Sequence, residues 1–73
     1  MNQLDLRTIQ PRNRHALVFD TFDGLDAGDS FELLNDHAPI PLYYQFMHER
    51  TGLFAWESLE EGPETWRVQI TRT

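Results

Sequence analysis

The sequence has no cysteine and no lysine. Without cysteine there are no disulfides, no thiolate metal ligands and no thiol nucleophile. Without lysine, all six basic residues are arginines: Arg7, Arg12, Arg14, Arg50, Arg67 and Arg72. We read that bias as a codon preference. Twelve acidic residues outweigh them and give a net charge of −6. A nucleic-acid binder shows a basic stripe. Here only Arg12, Arg14 and His15 lie close together, which is too little for a duplex. Apolar runs of membrane-spanning length are missing, as is a charged-then-apolar leader. The expectation is a soluble cytoplasmic protein with neither a nucleic-acid nor a membrane partner. Glycine is also sparse, at four residues, and none builds a phosphate-cradling loop. The chain has no repeat, low-complexity tract or linker.

What is present fits one small domain over residues 1–73. A chain of this length buries only about 60% of its unfolded surface. Its stability must come from apolar packing, and two Trp, two Tyr and five Phe supply large buried areas for that purpose.

The apolar pattern gives the element order. Leu4 and Leu6 alternate with Asp5 and Arg7, as in a short strand with one buried face. Pro11 suits a first helical turn. His15, Val18, Phe19 and Phe22 then recur at helical spacing, and Gly24 and Gly28 end that helix. The aspartates of this exit (Asp20, Asp23, Asp26, Asp29) do not match a calcium loop, because aligning Gly28 puts Leu25, Ala27 and Leu34 at ligand positions. They read as a solvated acidic edge. Ser30 to Leu34 is a second strand, with Phe31 and Leu33 on one face. Pro39 and Pro41 set up a second helix, whose inner stripe is Leu42, Tyr43, Phe46, Met47 and Arg50. Leu53 to Leu59 and Thr65 to Thr71 are strands joined by a hairpin at Gly62-Pro63. Trp66, Val68 and Ile70 share a face, with Phe54 and Trp56 as counterparts. Glu57 and Arg67 are expected to pair on the other face. The fold class is therefore α/β: a two-layer sandwich, β-α-β-α-β-β, with both helices on one face of a four-stranded mixed sheet.

Unusual residues concentrate in Asn35-Asp36-His37-Ala38-Pro39-Ile40-Pro41-Leu42-Tyr43-Tyr44-Gln45. If the first two strands run parallel, their C-terminal ends share one sheet edge, the usual place for ligands in open α/β sheets. Arg7, Gln10, Arg12, Asn35, Asp36 and His37 should converge there, with Tyr43 or Tyr44 one turn into the second helix. Each residue also has a plain structural role: Asn35 and Asp36 as turn and cap residues, His37 as a donor to a nearby carbonyl, the tyrosines as half-core. Competing chemistry is weaker. His15, His37 and His48 lack helical metal-site spacing. Met47 and His48 come without a covalent haem motif. Ser30 and Ser58 have no evident base.

The block from Leu4-Asp5-Leu6-Arg7 through Pro11-Arg12-Asn13-Arg14-His15, Asn35 to Gln45, Trp56, and Gly62-Pro63-Glu64-Thr65-Trp66-Arg67-Val68 resembles a bacterial domain family of unknown function. That family is similar in layout to the TusA/SirA sulfur carriers. The resemblance implies the same β-α-β-α-β-β order. It also implies either a lone domain or a part of a larger protein with a haemerythrin-type metal domain, often in bacteria that handle nitrogen oxides, and so a redox or nitrogen-oxide setting. The carriers hold a reactive cysteine before a proline at the start of the first helix. That position falls on Pro11 here, with Arg12 in place of the proline. Persulfide transfer is excluded with the cysteine.

The expected function is a non-catalytic accessory domain without a cofactor. It recognises a protein partner or small ligand at the edge of residues 7–12 and 35–44, with Arg12 or Arg14 as an anion contact. One alternative is a metal- or haem-linked accessory protein. Another is a small enzyme using His37 and Asp36 as an acid–base pair in a water-poor cleft.

Overall fold

A computed structural model describes residues 2–73. Strand β1 (Asn2–Asp5) leads through a 3-10 turn (Leu6–Thr8) to helix α1 (Pro11–Asp23). Strand β2 (Ser30–Asn35), helix α2 (Ile40–Glu49), and the hairpin of β3 (Phe54–Glu61) and β4 (Trp66–Arg72) follow. The sheet order is β1-β2-β4-β3. Strands β1 and β2 are parallel, with Leu4 opposite Leu33. The β2–β4 and β3–β4 pairs are antiparallel. The α/β fold with a four-stranded mixed sheet is the one expected from the residue pattern.

Alternation along the strands decides which face is covered. Phe31 and Leu33 of β2 lie opposite Ile70 and Val68 of β4, and all four are buried. Val18, Phe19 and Phe22 of α1 and Leu42 and Phe46 of α2 join them in one cluster. Both helices therefore cover the same face. Phe46 stacks on Phe19 at a ring separation of 4.4 Å and meets Phe22 edge-on at 5.2 Å. Removing a buried phenyl ring of this kind costs about 3–5 kcal/mol. The opposite face carries Glu32, Arg67 and Gln69, each partly exposed.

Four local expectations are corrected. The first strand ends at Asp5, because that side chain accepts hydrogen bonds from Arg7 N (3.0 Å) and Arg7 Nε (2.9 Å) and turns the chain. Leu6 consequently enters the core from the 3-10 turn. On α1 the position one turn before Val18 is taken by Arg14, which is buried, while His15 sits at the flank. On α2 only Leu42 and Phe46 are buried. Tyr43 and Met47 are exposed, since α2 lies over the β4–β3 side and no third helix covers its outer flank. Lastly, the ladder between β3 and β4 shifts between Ser58 and Glu60. Glu57 stands opposite Gln69, and the extra residue then sets Glu60 rather than Leu59 opposite Arg67. Arg67 forms ion pairs with Glu32 and, at 3.8 Å, with Glu60 rather than with Glu57.

An ion pair and a cation–π contact brace the periphery. Arg50 after α2 holds Asp23 at the end of α1 (2.7 Å) and lies over the Phe19 ring. No helix among the described residues is long and apolar enough to cross a membrane.

Candidate functional site

The parallel pairing of β1 and β2 brings the ends of both strands to one edge of the sheet. The first turn of α1 and the segment entering α2 meet there. They enclose a small pocket of about 170 Å³, lined by Pro11, Arg14, His15, Asn35, His37 and Pro39 among others. Proline begins α1 and occupies the first turn of α2, where a missing amide hydrogen costs no helical bond.

Arg14 is the centre of this edge. Its Nε donates to the Ile9 carbonyl at 2.9 Å. Its Nη1 donates to Asn35 Oδ1 (3.0 Å) and Asp36 Oδ1 (3.1 Å), and Nη2 reaches Asp36 Oδ2 at 3.4 Å. One guanidinium thus ties the end of the first loop to the end of β2. Asn35 is buried, and its Oδ1 also accepts the Asp36 backbone N–H at 2.9 Å. Asp36 is held down to about pKa 2, first by the Arg14 hydrogen bonds and next by His37. It is therefore a carboxylate, an acceptor only, so His37 Nδ1, 2.7 Å away, donates to it. That fixes the tautomer of a neutral His37 and leaves Nε2 without a protein partner among the described residues. His15 repeats the device: its Nδ1 lies 2.8 Å from Gln45 Oε1 on α2 and donates to it. The pocket is thus lined by two imidazoles, each oriented through Nδ1.

Among the residues expected to converge, Asn35, Asp36 and His37 come together. Arg7 folds back onto Asp5 at 2.9 Å, within electrostatic reach of Asp36. Gln10 precedes α1 with no side-chain cap bond, and Arg12 is exposed on the first turn. Tyr43 and Tyr44 lie beyond the pocket and are exposed, their rings 5.9 Å apart. Arg14, named only as an anion contact, carries the structural centre. His15, read as core, lines the pocket. A signal for Arg14 was available in its spacing of four from Val18 and eight from Phe22, but an arginine at a core position is read as solvated until its acceptors are known. The Asp36–His37 pair is not in a water-poor cleft: the His37 side chain is 61% exposed and that of Asp36 48%.

Pro39 is buried and also borders a second, larger depression of about 460 Å³. Tyr43, Trp56 and Trp66 form its aromatic walls, and Glu60 and Glu61 its rim. The Tyr43 and Trp56 rings meet edge-on at 5.1 Å. The expected partnership of Trp56 with the β4 face holds, with Trp56 opposite Ile70.

No group of three or more metal-ligating side chains is found among the described residues. No curated protein and no solved structure matches the chain significantly. Residues 3–72 match the model of a family described as an uncharacterized conserved protein (DUF2249), and with nearly all of its length covered the chain belongs to that family.

Proposed function

We propose that the chain is a non-catalytic binding domain that recognises a small polar ligand or a protein partner at the edge bearing residues 7–12 and 35–44. The carrying observation is the pair of imidazoles lining one pocket, with both Nδ1 atoms committed to Asp36 and Gln45. Each Nε2 is left to accept from a ligand, or to donate if the ring is protonated. Arg14 supplies positive charge behind them, though four of its five N–H groups are taken. The segment of residues 7–12 contributes Pro11 to the lining, and Arg12 is exposed on the same helical turn.

The resemblance in layout to the TusA/SirA sulfur carriers supports the location. The element order is the same, and the position of the carriers' cysteine corresponds to Pro11, which lines the pocket. With no cysteine in the chain, the edge serves recognition. We place the domain in the bacterial cytoplasm, in a redox or nitrogen-oxide setting, on the family resemblance.

Titration of the wild-type protein and His37→Ala with inorganic phosphate, nitrite and thiosulfate, followed by imidazole NMR shifts, tests the ligand arm. Recovery of partners on immobilised wild type and variant tests the other. His37→Ala should lose binding at least tenfold while its unfolding free energy changes by less than about 0.5 kcal/mol. Equal binding by both proteins defeats the reading. Unfolding of the variant without a separate binding loss gives His37 a structural role.

One observation favours a second reading, a metal-linked protein. Asp36 and Gln45 orient the two imidazoles as outer-shell acceptors orient metal-bound histidines. Two nitrogen donors from this chain need further donors from elsewhere. Elemental analysis and an optical spectrum of protein purified without chelator decide it, and a metal-free protein with no visible band removes it.

A further inference from the structure

The larger depression is part of a longer furrow. A second hollow of about 320 Å³, lined by Tyr43, Met47, Gly52, Phe54 and Trp56, shares Tyr43 and Trp56 with the first. Together they run along the junction of α2 and β3, from the β3–β4 turn to the start of β3. Strand β3 is the last in the sheet order, and its eight residues span about 25 Å. A furrow of that length beside an edge strand suits a chain rather than a compact molecule.

Its chemistry names the chain. The walls are aromatic faces, which attract cations held over them. The carboxylates of Glu60 and Glu61 stand at the same end. Glu61 has no ion-pair partner among the described residues, and Glu60 has only the distant Arg67 contact, at 3.8 Å. Glu64 in the β3–β4 turn adds negative charge at that end, whereas Glu57 lies on the opposite face, across from Gln69. The far end, at Met47 and Phe54, is apolar.

The walls are also fixed in place. A Cβ on Gly62 would fall 2.6 Å from Trp66 Cζ2. The indole therefore packs directly on the glycine backbone, which adopts φ +66°. Trp56 is braced by Tyr43 and, at 6.0 Å, by Phe46 of the core. A surface built this way loses little side-chain freedom when covered.

We infer that the furrow docks an extended basic segment of a partner protein. An Arg or Lys side chain lies over Trp56 and Trp66 between the carboxylates. Apolar residues further along the segment contact Tyr43, Met47 and Phe54. In an extended chain alternate side chains point the same way, so one face of the segment reads the furrow. This surface is separate from the imidazole pocket, from which Pro39 divides it.

Trp56 and Trp66 are the only tryptophans of the chain, so fluorescence reports occupancy directly. The test titrates the protein with a short synthetic peptide in which Arg and Val alternate with Ser. The same peptide with Glu for Arg, and tetramethylammonium, serve as controls. The basic peptide should change the fluorescence saturably. Glu60→Gln with Glu61→Gln, both exposed and safe for folding, should weaken it at least tenfold, and His37→Ala should leave it unchanged. Equal binding of the acidic peptide overturns the charge argument. Equal affinity for tetramethylammonium overturns the extended occupant in favour of a small cation. A concentration-dependent dimer that buries the tryptophans assigns the furrow to a second copy and overturns the partner segment. Absence of any saturable change with the basic peptide overturns the proposal outright.

Discussion

The two sides of Pro39 differ in almost every physical respect. On one side a pocket of about 170 Å³ sets an arginine, an asparagine and two histidines among prolines and leucines. On the other a hollow of about 460 Å³ is built from aromatic rings and rimmed by glutamates. The first is held by directional hydrogen bonds converging on Arg14. The second is held by ring packing and by one glycine that lets an indole lie flat. Both lie at the end of the sheet where β1 and β2 finish and β4 begins. Proximity therefore does not make them one site. A ligand drawn to the arginine side is polar or anionic, whereas one drawn to the glutamate side is cationic.

The comparison breaks hardest at Arg14. Arg14→Met keeps the bulk of the stem but removes every donor. The partly buried Ile9 carbonyl loses its partner, Asn35 Oδ1 keeps only the Asp36 N–H, and the Asp36 carboxylate loses its guanidinium. An unsatisfied buried group costs about 1–3 kcal/mol and a hydrogen bond to a charged group contributes about 1.5–3 kcal/mol, so the variant should lose about 2–4 kcal/mol in urea unfolding. The furrow should survive in what remains folded, with tryptophan fluorescence near that of the wild type. Joint collapse of both features at low denaturant would mean they form a single cooperative unit.

The reverse break is Gly62→Ala. A side chain is strained at φ +66°, and its Cβ would collide with the Trp66 ring. A loss of about 1–3 kcal/mol is expected, with a change in tryptophan emission as the indole is displaced. The His15 and His37 resonances should stay where they are. Movement of those resonances would show that the hairpin end and the pocket are coupled across Pro39.

Much of the pocket was legible in the sequence, and little of the furrow. Asn35, Asp36, His37 and the two prolines are neighbours in the chain, so their clustering needs only the parallel placement of β1 and β2. The helical stripes gave Val18, Phe22, Leu42 and Phe46 correctly, because burial there follows period 3.6. Tyr43 and Met47 satisfy the same period and are nevertheless exposed. Periodicity marks a helix face, and the width of what covers it depends on tertiary placement. The furrow draws on residues 38–47, 51–61, 66 and 68, and its rim depends on the extra residue at the Ser58–Glu60 shift. Strict alternation carried past Ser58 sets Leu59 opposite Arg67 and leaves Glu57 as the nearest carboxylate of β3 on that face. The adjacent pair Glu60-Glu61 directly after Leu59 was the available sign that alternation fails there.

The smallest effect sharpens the electrostatic side of the contrast. Asp36 has its carboxyl held down to about 2 by Arg14 and then His37, against about 3.9 for a free aspartate. A group whose folded pKa is depressed binds its proton less readily in the folded state. Its contribution to stability is therefore complete above about pH 4 and is lost as pH falls towards 2. Asp5 and Asp23, lowered by Arg7 and Arg50, act in the same direction, so the wild-type acid transition is a sum. Asp36→Asn isolates the pocket's share. The variant should be less stable than wild type at pH 6, with the gap closing between pH 4 and 2. Asp36 is half exposed and solvent screens it, so the gap at pH 6 should be the smallest difference among these variants. Urea unfolding of both proteins across that range measures it. A gap independent of pH would mean that Asp36 acts through its hydrogen-bonding shape alone, and that charge does not distinguish the pocket from the furrow at this position.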